Sequence, residues 1–125
     1  MSEKGDVIGW RLDRESRALL LAQYPPRWPD VVADHVTLAT DAGDSELPAA
    51  VHCEIIGEAD DGEGVQALVV EIDGSSQRPD GSTFHITWSL DRAAGREAAD
   101  SNGVIARRGW RAGRRARVEL MPARW

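Results

Sequence analysis

Two four-residue stretches carry the side chains best suited to chemistry: His35-Val36-Thr37-Leu38 and His85-Ile86-Thr87-Trp88. Each reads His, apolar, Thr, apolar, in sequence that looks like a β-strand. Alternate side chains of a strand share a face, so each stretch sets an imidazole beside a hydroxyl, with two apolar groups on the reverse. Two such strands side by side would line a pocket with two imidazoles and two hydroxyls. An imidazole with a pKa near 6.5 populates both protonation states at neutral pH. Two of them on opposite sides of a phosphorus can act as general base and general acid for an in-line displacement. Thr37 and Thr87 would donate hydroxyl hydrogen bonds to the non-bridging oxygens, where transition-state charge gathers.

The doubling is what makes the pattern informative. With about 45% apolar residues and about 12% Ser plus Thr, a given His is followed by apolar-Ser/Thr-apolar about 2% of the time. Two of the three histidines do so here, an outcome expected roughly once in a thousand from composition alone. His52 is the control: Cys53-Glu54-Ile55 follows it, the pattern fails, and it reads as a strand-surface histidine. No His-x-His or His-x-x-x-His spacing exists to fix two ligands on one element, so no metal is expected. No cofactor is called for either.

Other residue types narrow the chemistry. Cys53 is the only cysteine, which rules out an internal disulfide and argues against a cysteine-based zinc site. The only lysine is Lys4, in a stretch expected to fray. A nucleotidyl-transferring ligase or a phosphate-binding kinase loop needs an internal lysine, and none is available. At 125 residues, residues 1–125 form a single domain long enough for its own core. No stretch approaches the ~20 apolar residues of a membrane helix, and Met1 to Asp6 has no apolar signal region. A cytoplasmic location is expected. The net charge is −6, yet residues 101–125 carry seven arginines against Glu119 alone. A basic end on an acidic chain suits a phosphate-bearing partner or, equally, a solvated surface.

The elements that must position the motifs follow from the apolar pattern. Residues 7–12 read as a short strand. Asp13 reads as a helix N-cap, with a helix over residues 14–24 ended by Pro25, Pro26 and Pro29. Residues 31–40 are the first motif strand, followed by an acidic loop over 41–47. Strands over 49–58 and 66–72 flank an Asp/Gly turn at 60–64, a hairpin signal. A polar loop over 73–83 leads to the second motif strand, 84–90. Residues 91–108 hold either one helix interrupted near Gly95 or a shorter one capped by Asp100 or Ser101. A turn over 112–115 and a last strand over 117–121 close the chain. Helices grouped against largely antiparallel strands make an α+β domain.

On these residues the chain resembles the two-histidine (2H) phosphoesterase superfamily, whose members carry His-apolar-Ser/Thr-apolar twice. The forms Asp34-His35-Val36-Thr37-Leu38-Ala39 and Phe84-His85-Ile86-Thr87-Trp88, with Asp100-Ser101-Asn102 after the second, are similar to the cyclic phosphodiesterase domain of fungal and plant tRNA ligases. The resemblance implies a compact fold of two β-lobes, with paired central strands lining a cleft and helices outside. It implies hydrolysis of an RNA or nucleoside 2′,3′-cyclic phosphate, with His35, Thr37, His85 and Thr87 as the working residues. Four other residues are candidates for substrate binding: Tyr24 and Trp28 by stacking on a base, Arg78 by clamping a phosphate, and Ser101 from a helix start. Two other readings are kept: a non-catalytic nucleotide- or RNA-end-binding module using the same pocket, and a partner-binding domain working through its arginine-rich end.

Overall fold

Eight strands and two helices, with one turn of 3-10 helix, build two antiparallel sheets in the computed structural model, which describes residues 6–125. The expected fraying at Lys4 lies outside the described residues. In chain order the elements are β1 (Ile8–Leu12), α1 (Arg14–Gln23), β2 (Asp30–Val31), β3 (His35–Ala39), β4 (Cys53–Asp60), β5 (Val65–Ile72), β6 (His85–Leu90), α2 (Asp100–Arg108), β7 (Arg111–Val118) and β8 (Leu120–Arg124). The smaller sheet runs β3-β1-β8 and the larger β2-β6-β5-β4-β7. The domain is therefore α+β, and no helix among the described residues is long and apolar enough to cross a membrane.

Alternation decides what each face of the larger sheet meets. On one face Ile55, Leu68, Val70, Ile86 and Trp88 pack against Trp10 and Leu12 of β1, Val36 of β3 and Leu20 of α1. Trp88 is wholly buried, and its indole N–H donates to the Tyr24 carbonyl at 2.7 Å. Burying a side chain of that size contributes about 5 kcal/mol at ~25 cal/mol per Å2. On the other face Ala67, Val69 and Leu90 meet Val104 and Ile105 of α2. Ordinary alternation sends Ile55 to the first layer and Ile56 to the second, and the β-bulge at Ile56 shifts the phase so that Ala59 joins the second layer too.

Four expectations need correction. The strand over 31–40 is broken, because Ala33 is in the left-handed region (φ 42°) and separates β2 from β3. The strand over 49–58 begins only at Cys53 and runs on to Asp60. The turn over 112–115 lies inside a strand, and the last strand is really two, one in each sheet, joined through Glu119. Of the two helix alternatives the shorter holds: Arg92–Ala94 makes a 3-10 turn that ends at left-handed Gly95, and α2 starts at Asp100. Ala99 occupies its N-cap position, and neither Asp100 nor Ser101 caps it. The Asp100 carboxylate accepts from the Glu97 N–H instead, and the Ser101 hydroxyl turns inward. The Asp13 cap is as expected, accepting from the Ser16 N–H at 3.1 Å.

Candidate active site

The two motif strands meet where the chain passes from one sheet to the other. Asp30 and Val31 pair with Leu90 and Ser89 of β6, and the Val32 and Ala33 N–H groups continue the ladder to the Trp88 and Thr87 carbonyls. The left-handed backbone at Ala33 then turns the chain away. Arg17 of α1 secures that bend, donating to the Ala33 carbonyl at 2.8 Å and the Val32 carbonyl at 3.2 Å. One residue on, the Asp34 carbonyl accepts from Leu12 of β1, and the chain has joined the smaller sheet. His35 is the first residue of β3. The resemblance implies paired central strands; here β3 is the edge of its sheet and β6 lies one strand in from the edge.

This handover places His35 and His85 on either side of the junction between the two sheets. Their settings differ. The Nδ1 of His35 lies 3.1 Å from the Asp34 carboxylate, which Arg11 also holds at 3.1 Å, with Arg14 at 4.0 Å. The Trp125 indole covers the His35 ring at a centroid distance of 4.4 Å and a tilt of 47°, and Arg11 lies over the same indole. His85 is half-buried as well and has a different neighbour. Its Nδ1 lies 2.8 Å from the Thr83 carbonyl. It lines a hollow of about 150 Å3 together with Gly81, Ser82, Thr83, Asn102, Ile105 and Ala106. Burial, above all, lowers the pKa of His85. The Thr83 carbonyl opposes that shift, and the Arg78 and His35 charges reinforce it.

The tautomers follow from these partners. A carbonyl or carboxylate oxygen only accepts, so Nδ1 carries the hydrogen in both rings. Nε2 is then the nitrogen left for proton transfer on each.

The threonines share the residue type and not the situation. Val36, between His35 and Thr37, is fully buried, while both flanking side chains stay half-open on the opposite face of β3. Gly9 faces Thr37 across the ladder at a bulge in β1. A Cβ there would lie 2.2 Å from the Val36 carbonyl oxygen, so only glycine permits that approach. Thr87 is buried, 2.8 Å from the Ser101 hydroxyl and donating to the Ala98 carbonyl at 3.3 Å. Its hydroxyl therefore ties β6 to the start of α2.

Of the other candidates, the structure gathers Arg78 and Ser101 and leaves Tyr24 and Trp28 elsewhere. Arg78 is buried, and its charge acts on His85. Asp80 holds its guanidinium at 3.2 Å, and Asp80 is kept well below the usual carboxylate range by the Ser82 hydroxyl and N–H and by Arg78 itself. Tyr24 packs edge-on against Trp88, on the face of β6 opposite His85, and its hydroxyl donates to the Arg114 carbonyl. The Trp28 N–H donates to Ser89, beyond the Thr87 end of the site, and Arg27 covers its ring. Neither aromatic reaches the histidines, because the prolines after α1 lead the chain along the far end of β6. His52 pairs with Glu54 at the surface, but it lies just ahead of β4 and not in a strand as expected.

Sequence reasoning missed Asp34, Thr83 and Trp125 as neighbours of the imidazoles. Asp34 was visible beside His35, but regular strand alternation would aim it at the opposite face. Thr83 contributes a backbone carbonyl, which leaves no trace in residue type. Trp125 reaches His35 only through the pairing of β1 with both β3 and β8. No group of three or more His, Cys, Asp or Glu side chains suited to a metal ion occurs among the described residues. Compared with known proteins, the chain matches no family model, no curated protein and no solved structure.

Proposed function

We propose that this protein is a phosphoesterase that hydrolyses a cyclic phosphodiester, an RNA or nucleoside 2′,3′-cyclic phosphate, in the cytoplasm and without a metal or other cofactor. The observation that carries the proposal is the joining of the two motif strands at the sheet handover, with each imidazole's Nδ1 hydrogen engaged and its Nε2 left for proton transfer. His85, kept neutral by burial, takes the proton from the attacking water at Nε2. His35, whose Nδ1 faces the Asp34 carboxylate at 3.1 Å, gives a proton to the leaving ribose oxygen. The balance is simple: water oxygen bonds to phosphorus as the P–O bond to the ribose breaks, and one proton passes to each side. Arg78 and the Thr37 hydroxyl face the charge on the phosphoryl oxygens. Thr87 serves from behind, through the Ser101 contact that fixes β6 against α2.

The test is turnover of a nucleoside 2′,3′-cyclic monophosphate. His35→Ala and His85→Ala are each expected to lower kcat by about 10²- to 10⁴-fold, with unchanged far-UV circular dichroism and wild-type activity insensitive to chelator. Full activity in both variants would sink the proposal. Tight binding of a 2′- or 3′-phosphorylated nucleotide with no product released over hours would favour the non-catalytic end-binding module instead.

A further inference from the structure

A larger hollow than the one beside His85 lies away from the histidines. It measures about 630 Å3 and lies between the end of α1 and the first half of β7, floored by residues 57–60 of β4. Arg27, Arg108, Arg111 and Arg114 line it, together with Tyr24 and Trp110. Two carboxylates line it as well. Asp60 is engaged by Arg27 at 2.8 Å, and Glu58 accepts from Gln66 at 2.8 Å. Arg111 and Arg114 are exposed and have no carboxylate partner among the described residues. In a chain of net charge −6, unpaired arginines beside a concave surface are a local reversal of sign that suits an anionic ligand.

The backbone has been shaped to make this hollow. Between the pairs Ile55–Ala116 and Gly57–Ala112, β4 has only Ile56 where β7 has residues 113–115. The surplus bows outward and carries Arg114, whose carbonyl is pinned by the Tyr24 hydroxyl at 2.9 Å. Trp110 lies over Gly57, where a Cβ would fall 2.3 Å from the ring. Glycine at 57 thus seats one side of the indole, while Trp110 remains 38% exposed. A seated aromatic with an open side next to unpaired arginines is the pairing of stack and charge that single-stranded nucleic acids use, tolerant of sequence because every base has a π-face.

We infer that this groove binds the body of a single-stranded RNA, with Arg111 and Arg114 on phosphates and Trp110 stacked on a base. The choice of RNA rests on the cyclic-phosphate reading of the histidine site; the groove itself does not. The test is fluorescence anisotropy of the full chain with a labelled oligouridylate of about 12 nucleotides, within the span of known single-strand sites. The double variant Arg111→Ala/Arg114→Ala is expected to bind about tenfold more weakly at low salt, with a salt slope shallower by about 1.4, the value for two lost phosphate contacts. Trp110→Ala should weaken binding at least about fivefold. The charge-matched control Arg92→Ala/Arg117→Ala should bind as wild type.

Three results would overturn the inference: no binding by wild type, equal loss in the control and groove variants, or displacement of the oligonucleotide by polyglutamate as readily as by unlabelled RNA. Hydrolysis of a cyclic mononucleotide by wild type is scored separately. Turnover without groove binding removes the groove alone; groove binding without turnover removes the histidine reading alone.

Discussion

The strands β3 and β6 carry the same four-residue pattern and put it to different use. In β3 the imidazole is half-open, faces a carboxylate and is covered by an indole, and the threonine beside it stays half-open. In β6 the imidazole is likewise half-buried, its Nδ1 meets a neutral carbonyl, and the threonine is sealed against α2. The difference comes from the layers. β6 lies inside a sheet covered on both faces, whereas β3 is an edge strand whose Val36 face meets the core and whose other face meets Trp125 at His35. Identical residues thus sit in different surroundings, one imidazole beside a carboxylate and the other beside a neutral carbonyl.

That asymmetry can be broken in order of expected effect. The largest loss belongs to the imidazoles themselves. The double variant His35→Ala/His85→Ala should be little slower than the worse single variant, because groups that act as a unit are not additive; fully multiplicative losses in kcat would show that they act apart. Next comes Asp34→Asn, which keeps the shape and removes the charge beside His35. Asp34 is a positioning residue on this account, so kcat should fall about tenfold or more with KM nearly unchanged. A lowered Tm with kcat unchanged would reduce Asp34 to a structural role.

The threonines give a smaller, cleaner separation. Thr87→Val leaves the Ser101 hydroxyl without its partner and should cost about 1–3 kcal/mol of stability, a fall in Tm of several degrees for a domain of this size. Thr37→Val should change stability by less than about 0.5 kcal/mol while weakening turnover. Equal melting curves for the two variants would erase the distinction between them.

The smallest effect is a shift in pH dependence. Burial lowers the pKa of His85, so the acid limb of kcat/KM should have its midpoint below 6.5. Arg78→Gln, by removing one positive charge, should move it upward toward 6.5. The sign for stability follows from the same shift. The unfolded chain takes up the His85 proton near pH 6.5 and the folded chain only at lower pH, so this contribution to stability is present above 6.5 and lost as the pH falls below it.

Residue types and their period were enough to mark both motif strands, the Asp13-capped helix, the β4–β5 hairpin and the α+β class, because each of these depends on near neighbours along the chain. Alternation also told which motif side chains would be polar-facing and which apolar. It could not show that Ala33 bends the first motif strand out of one sheet and into the other. Alanine pays a cost in the left-handed region, and what holds it there is Arg17, sixteen residues away, on two carbonyls. Nor could it find β7: an exposed edge strand of arginine, alanine and glycine has no buried face to impose a period. Local order along the chain therefore chose the chemical groups. Long-range pairing decided which imidazole meets a backbone carbonyl and which a carboxylate, and which threonine is buried, because burial and charge are set by what folds against a strand and not by the strand itself.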